Sequence, residues 1–223
     1  MRSTKLALLA LLIPTFVFAL SPKYKQWAAS PQAYFMTKAE RTQWNSIVTD
    51  AEAEKFINDF VASRGAGFAD LVTDRATNAD KYLTIGKKPA SQTLRGKVIV
   101  LLGPPTSIKT EAKKGRVDRA APVGGYGGGS DASLGGGQGV SVGDMMQAAE
   151  QSGMSGKQGY VEYTFTYPGE SLPAPYAQGV TIKIDVNPQS GEDWAPDNGA
   201  QKQLDQLFEA VAAARAAAAK PAQ

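Results

Sequence analysis

The chain has neither cysteine nor histidine among its 223 residues. Without cysteine it can form no disulfide, cannot be anchored through a lipidated N-terminal cysteine, and has no thiolate for catalysis or metal binding. Without histidine it lacks the commonest metal ligand and the side chain that best carries protons near neutral pH. Ser-His-Asp and Cys-His catalysis are thereby excluded, which leaves carboxylate pairs, Ser-Lys arrangements or oxygen-ligand metal sites. We therefore predict no catalytic site, no cofactor and no metal site.

A strong excess of one charge sign is also lacking. The 24 lysines and arginines are nearly balanced by 21 aspartates and glutamates. Two of the basic residues, Arg2 and Lys5, belong to a segment that we predict to be removed, so the remainder has 22 (24 less 2). A nucleic-acid-binding protein is expected to have a clear basic excess or a basic stripe. The charge balance therefore argues against a nucleic-acid partner.

The N-terminal segment is typical of a cleaved export signal. Arg2 and Lys5 precede an apolar run at 6–18, which ends in small or β-branched residues suited to cleavage. The run is shorter than the roughly 20 apolar residues that span a membrane, and the segment 21–25 is polar. We predict a signal peptide at 1–19, with retention as a membrane anchor as the alternative. The mature protein is then periplasmic or secreted, is not a lipoprotein and has no membrane span.

Two Thr-x-x-Glu capping boxes predict where the first helices begin. Thr37 with Glu40 opens a short helix, and Thr49 with Glu52 opens a second helix that continues to about Arg64. In both boxes the threonine hydroxyl and the glutamate carboxylate can bind backbone N–H groups of the first turn.

Two further helices follow from periodicity and capping. Apolar residues recur at three- and four-residue steps over 68–83, which predicts a third helix. An Ala-rich helix at 197–219 begins at Asn198 or Asp197. Its apolar stripe is narrow, so it either docks on the sheet or projects freely.

Three segments have the composition of β-strands. The run at 95–102 is β-branched and apolar on both faces, and a Gly-Pro-Pro segment follows it, which predicts a central strand. The segments 160–167 and 180–186 alternate between apolar and polar residues. Each of these two is expected to bury one face against the helices.

A Gly-rich segment at 110–158 separates the first predicted strand from the other two. Such a composition buries too little apolar surface to offset its ordering entropy, so we predict a flexible, disordered insertion with a short helix at 142–151. Phosphate-binding loops place glycines in a defined pattern between a strand and a helix. That pattern is absent, and we favour a linker over a ligand site.

These elements predict an α+β fold. N-terminal helices pack on a three-stranded antiparallel sheet, with a long Gly-rich disordered insertion and a C-terminal Ala-rich helix. The helices and the first strand occupy 30–109, and the strand pair at 159–187 completes the domain.

Charged side chains form two candidate sites. A basic cluster near the insertion is favoured as a solvated surface, with contact to anionic lipid or cell wall as the alternative. Its members are Lys109, Lys113, Lys114, Arg116 and Arg119. A second candidate is a glycosidase-like pair, which would need two carboxylates in one pocket. We instead expect the carboxylates of this chain to lie at helix starts or on solvent-exposed helix faces. The carboxylates considered are Glu52, Glu54, Asp59, Asp70, Asp74 and Asp80, and a pocket that holds two of Glu52, Asp70, Asp74 and Asp80 would favour a glycosidase-like pair.

Two arginines are candidates for a buried ion pair. Arg75 lies within an apolar stripe and Arg95 begins the predicted central strand, so either can form a buried ion pair, which we favour over ligand binding. For Arg95 we predict a carboxylate on the second or third helix, because the planar guanidinium can bind a carboxylate and a carbonyl together.

The order of these features resembles the GWxTD domain of exported bacterial proteins, which is frequent in Acidobacteria. The likeness covers about 34–108, with a weaker one in the two later strands. The residues that carry it are expected to be structural and are Trp44, Arg64, Arg75, Thr93, Arg95, Gly96, Gly103, Pro104 and Pro105. Where the family has Gly-Trp-x-Thr-Asp, this chain has Ala-Ser-Gln-Thr-Leu at 90–94, so only Thr93 is retained. The resemblance implies export and a helix-plus-sheet fold, and it implies no established activity.

These observations predict a non-catalytic envelope or periplasmic module. Its partner is expected to be an unknown envelope protein or a cell-wall component, bound through the sheet or the C-terminal helix. The alternative is a divergent hydrolase that acts on glycan or peptide with carboxylates alone.

Overall fold

The structure, a computed structural model, describes residues 20–114, 129–130 and 159–218. The described residues form an antiparallel sheet packed against helices, so the predicted α+β class is confirmed. The predicted signal peptide, the short helix predicted at 142–151 and most of the Gly-rich segment lie outside the described residues.

Helices precede and follow the sheet along the chain. They are α1 (Pro22–Trp27), α2 (Lys38–Asn45), α3 (Asp50–Ala62), α4 (Phe68–Leu83), α5 (Leu94–Leu102) and α6 (Asn198–Ala218). Short 3-10 turns connect several elements, at Pro31–Phe35, Ala90–Gln92, Gly169–Ser171 and Ala174–Tyr176.

Both predicted capping boxes are present. The Thr37 hydroxyl accepts from the N–H of Glu40 at 3.3 Å, and the Glu40 carboxylate accepts from the N–H of Thr37 at 2.8 Å. Thr49 and Glu52 make the same reciprocal pair at the start of α3, at 3.3 Å and 3.1 Å. These caps satisfy N–H groups that have no partner within the helix, which is why each helix begins at this point.

The run predicted as the central strand is a helix, so that prediction was wrong. Helix α5 buries seven of its nine residues, and the apolar side chains of 98–102 therefore meet other protein atoms all around the helix. A helix buried on every side is apolar on every side, and its sequence is then indistinguishable in pattern from a central strand. Burial and capping at its start outweigh the strand preference of its β-branched residues.

Within the described residues the sheet consists of five strands, which are β1 (Ser107–Lys114), β2 (Gly129–Ser130), β3 (Gly159–Tyr167), β4 (Val180–Val186) and β5 (Asp193–Trp194). They are antiparallel and lie in the order β2-β1-β3-β4-β5. The register aligns apolar residues across the three long strands, as in Ile108, Phe165 and Ile182. All three side chains are buried, so one face of the sheet packs on the helices.

The first long strand, β1, begins at Ser107 and ends at Lys114. It therefore follows the Gly-Pro-Pro segment, whereas the predicted first strand preceded that segment. The predicted boundary of the insertion at 110 was therefore too early, and the described residues form five strands instead of three. In β1, Ile108 and Thr110 are buried while Lys109 and Glu111 are exposed. This alternation is that of a strand with one face buried.

Helix α6 docks on the rest of the protein, which resolves the two alternatives left by the sequence. Leu204, Leu207 and Phe208 are buried in the common core. The carboxylate of Asp197 accepts from the N–H of Ala200 at 2.8 Å, so Asp197 caps the helix.

Candidate functional site

A surface groove of about 170 Å³ lies between β4 and α6. Its apolar lining residues are Tyr176, Val180, Ile182, Ala200, Leu204 and Leu207, and its polar ones are Thr181, Lys183, Gln203 and Gln206. An apolar cavity of roughly 150 Å³ accepts a benzene molecule. The groove therefore has room for one large apolar side chain.

Lys183 is the single charged residue among the described residues that line the groove. Its ammonium lies 3.0 Å from the carboxylate of Glu162 on β3, and about half of its side chain is exposed. The part of the lining that the structure describes contains no acidic residue. A basic ligand is consequently disfavoured here.

Among the described residues, one side of β4 lacks a strand neighbour over most of its length. β4 pairs with β3 from Val180 to Val186, but with β5 only at Asp185 and Val186. The N–H of Asn187 donates to the carbonyl of Glu192 on the β5 side, at 2.8 Å.

Backbone groups alternate between the two sides of a strand. Since Asn187 directs its N–H to the β5 side, Lys183 and Thr181 also direct their backbone groups to that side, toward the groove. Within the described ranges no strand pairs with these two residues there. The groove thus combines apolar side chains with a backbone edge that can accept another strand.

Arg95 is completely buried and joins α5 to β5. Its guanidinium lies 3.1 Å from the carboxylate of Asp193, and it donates to the carbonyls of Leu83 at 2.8 Å and Gly191 at 3.0 Å. The same carboxylate accepts the N–H groups of Leu94 and Arg95 at 2.9 Å and 2.8 Å. Burial lowers the pKa of Arg95, and the nearby Asp193 opposes this effect.

The predicted buried ion pair of Arg95 is present, but the predicted location of its carboxylate was wrong. The carboxylate belongs to β5, whereas α4 supplies only the Leu83 carbonyl. Asp193 lies at the positive end of α5, where a carboxylate binds free N–H groups as well as the guanidinium. A helix start was not expected at this position, so the sequence carried no signal for this partner.

Arg64, which follows α3, connects that helix to α2 through Glu40. The guanidinium of Arg64 lies 2.6 Å from the Glu40 carboxylate, donates to the Phe35 carbonyl at 3.0 Å and stacks 4.3 Å above the Phe60 ring. Burial by itself raises the pKa of Glu40, but hydrogen bonds from Arg64 and Thr37 outweigh it, so the pKa is lowered.

The indole of Trp44 is buried within an aromatic cluster. Its ring centre lies 4.8 Å from that of Trp27 and 5.4 Å from that of Phe56. The ring is 5% exposed, so it offers no surface to a ligand.

Arg75 caps the C-terminal end of α5. Its guanidinium donates to the carbonyls of Val100 and Leu101 at 3.0 Å and 2.8 Å. Gly103 ends the helix with a φ of +88°, and a Cβ there would lie 3.1 Å from the Arg75 guanidinium. The Tyr167 hydroxyl donates to the Gly103 carbonyl at 3.0 Å. The following prolines, Pro104 and Pro105, are exposed and half-buried.

Thr93 and Gly96 lie at the start of α5. The Thr93 hydroxyl accepts from the N–H of Gly96 at 3.4 Å and donates to the Ala90 carbonyl at 2.8 Å. A Cβ on Gly96 would lie only 1.8 Å from the Ala90 carbonyl oxygen, so this close approach requires glycine. Ser91 donates from its N–H and its hydroxyl to Asp80, at 2.7 Å and 3.0 Å.

The candidate carboxylates do not share a pocket in the described part of the chain. Glu52 caps α3, and the hydrogen bonds from Thr49 and Val48 lower its pKa. Asp80 binds Ser91, while Asp70 and Asp74 are exposed on α4. The residues described contain no group of three or more acidic side chains that could hold a metal ion.

Lys109 and Lys113 of the basic cluster lie on one face of the sheet, beside acidic residues. Lys109 is exposed on the open face of β1, and Lys113 on the same face contacts Glu111 at 2.7 Å and Glu162 at 3.9 Å. Lys114 ends β1, and Arg116 and Arg119 lie outside the described residues. The described lysines thus share their face with acidic residues, which weakens its attraction for an anionic surface.

Lys97 is a half-buried cation that sequence reasoning did not single out. Its ammonium lies 4.6 Å from the centre of the Phe208 ring and 5.5 Å from that of Tyr34. Burial lowers its pKa, and Arg41 adds to this effect. These ring contacts place Lys97 between the 3-10 turn at Pro31–Phe35 and α6, where it stabilises the packing of the two.

Comparisons with protein-family models, with curated proteins and with solved structures gave no match. None of the helices described is long and apolar enough to cross a membrane. The groove was not predicted from the sequence. The alternation of β4 and the stripe of α6 predicted buried faces, but a gap between two elements depends on how they pack.

Proposed function

We propose that this chain is an exported, non-catalytic envelope or periplasmic module that binds a partner protein in the groove between β4 and α6. The observation that carries the proposal is an apolar groove beside an unpaired strand edge. Both features are typical of surfaces that bind segments of other proteins. The predicted signal peptide at 1–19 supports an envelope location.

A protein is favoured over a cell-wall component as the partner. Six of the ten lining residues are apolar, which suits an apolar side chain better than a hydroxyl-rich sugar. The backbone groups of Thr181 and Lys183 match the hydrogen-bonding spacing of another polypeptide.

A groove-filling substitution tests this proposal. Gln203 is exposed and lines the groove, so the indole of Gln203→Trp fills it without entering the core. Lys202→Trp adds the same side chain at an exposed neighbour that does not line the groove, and it serves as the control. Both variants should keep wild-type stability to within about 0.5 kcal/mol, as surface changes usually do.

Wild type and both variants are used as bait in envelope extracts of the host. We expect the same proteins to be enriched by wild type and by Lys202→Trp and lost with Gln203→Trp. Equal enrichment by all three baits would reject the groove as the binding site.

We also propose that the chain is a divergent relative of the GWxTD family. Thr93, Arg95 and Gly96, which the resemblance includes, lie together at the start of α5. A structure of a family member in which the matching arginine does not pair with a carboxylate of the sheet would contradict this assignment.

A further inference from the structure

We propose that the occupant of the groove is an extended segment of another protein, which pairs with β4 as an additional strand and inserts one large apolar side chain between β4 and α6. This inference rests on the proposed function and specifies the chemistry of its partner.

The backbone of β4 determines the conformation of the partner. Thr181 and Lys183 direct their N–H and C=O groups to the groove side, where no described strand meets them. An extended segment satisfies such groups in regular order, as in strand addition at a sheet edge. β5 occupies the same edge at Asp185 and Val186, so the added strand has only Val180–Ile184 to pair with. The segment that binds is therefore short.

The alternation of β4 determines which side chains the partner needs. Ile182 is buried and faces the helices, while Thr181 and Lys183 are exposed on the opposite face. Residues directly opposite one another on neighbouring strands point to the same face. The partner residue opposite Ile182 thus enters the apolar groove toward Leu204 and Leu207.

The residue opposite Lys183 is expected to be acidic. Its side chain lies on the open face, beside the Lys183 ammonium, which contacts Glu162 at 3.0 Å but keeps about half of its side chain exposed for a second carboxylate, and opposite charges on facing strands attract. The expected sequence of the partner segment is therefore a large apolar residue opposite Ile182, with a polar residue on one side and an acidic residue on the other.

A second copy of this chain fits the groove less well. If two copies paired through their β4 edges, the α6 of one copy would have to occupy the space beside the edge that the α6 of the other copy already lines. Lysine on an exposed edge strand also disfavours edge-to-edge association. A short free segment of a different protein meets neither obstacle.

The test uses the protein as purified from its host and blocked synthetic peptides of about nine residues, a common strand length. The reference peptide consists of threonine and serine with aspartate and phenylalanine adjacent at its centre, and both orders of the pair are used. Matched peptides carry alanine for phenylalanine, lysine for aspartate, or N-methyl groups on alternate backbone amides.

Affinities are measured by fluorescence anisotropy. Alanine in place of phenylalanine should weaken binding about tenfold, through lost apolar burial. N-methylation should weaken it about tenfold because strand hydrogen bonds are lost. Lysine in place of aspartate should weaken it about threefold. Gln203→Trp should abolish binding and Lys202→Trp should preserve it. Equal affinities, or no binding by any peptide, would overturn the proposal.

Amide exchange measured by NMR gives an independent readout. The N–H groups of Thr181 and Lys183 should exchange rapidly in the free protein and become protected when the reference peptide binds. If these N–H groups are already protected in the free protein, the proposal is overturned. Protection that increases with protein concentration would then indicate a second copy, and protection independent of concentration would indicate part of the same chain.

The two proposals can fail separately. If the peptides do not bind but Gln203→Trp still loses the captured partners, strand addition is wrong and the groove remains a binding site. If Gln203→Trp and Lys202→Trp capture the same proteins as wild type, the proposed function fails as well.

Discussion

Arg95 and Asp193 form an ion pair in which the arginine side chain is completely buried and that of the aspartate is 6% exposed. The carboxylate also binds the first two N–H groups of α5, so one side chain caps a helix and neutralises a guanidinium. The pair joins the helical part of the chain to the last strand of the sheet. Neither charge has water to replace a lost partner, which makes the pair sensitive to substitution.

Arg95→Ala is expected to destabilise the protein by about 3 kcal/mol or more, because Asp193 is then buried without its partner. Arg95→Lys should recover only part of this loss, since lysine lacks the planar set of donors that reaches Leu83 and Gly191. Urea denaturation of the variants and wild type measures the free energy of unfolding. Lys55→Ala, which removes an exposed ion pair with Asp59, is the control and should cost less than about 1 kcal/mol.

Gly96→Ala is expected to cost about 3 kcal/mol or to prevent folding, because its Cβ would overlap the Ala90 carbonyl. The 3-10 turn at Ala90–Gln92 would have to move away from α5. Ala213→Gly, at an exposed position of α6, is the control for backbone effects and should cost about 1 kcal/mol. Thermal unfolding followed by circular dichroism compares the two. Equal losses would mean that the close approach is not important for stability.

The ion pair of Glu40 with Arg64 is expected to make stability depend on acid pH. The pKa of Glu40 is lowered in the folded protein from its usual value of 4.5. The folded state therefore binds the proton less readily than the unfolded state. The stabilisation is complete above pH 4.5 and is lost as the pH falls through the folded-state pKa.

Unfolding of wild type and Glu40→Gln is compared between about pH 3 and 7. The variant should be less stable than wild type by about 1–3 kcal/mol at neutral pH. This range is the usual contribution of hydrogen bonds to charged groups, reduced because Glu40 is partly exposed. The difference should shrink as the pH falls. A difference that stays constant over this range would show that the charge of Glu40 contributes nothing.

The protein isolated from its host is expected to begin at or near Leu20, because signal peptidase cleaves after small residues that follow an apolar run. Mass spectrometry of the intact protein measures this directly. A chain that still begins at Met1 would show that the segment is retained.

Local signals in the sequence determined most of the helices. The Thr-x-x-Glu boxes at Thr37 and Thr49 set the starts of α2 and α3, because each box is completed by residues within one turn. The periodicity at Phe68–Leu83 matched α4, and the alternation at Val180–Val186 matched β4. Each of these patterns records which side of one element is buried, and that information is contained in the element itself.

Other features were decided only by tertiary structure. The apolar run of α5 fits a strand or a helix equally well, and the helix is stabilised by burial of seven of its residues and by Asp193, which binds its first N–H groups from 98 and 99 residues away in sequence. The groove likewise exists because α6 docks beside β4 while β5 ends after two residues. Contacts between distant segments leave no periodic trace in either segment, so the sequence determined the elements and the packing decided which of their edges and faces remained available to a partner.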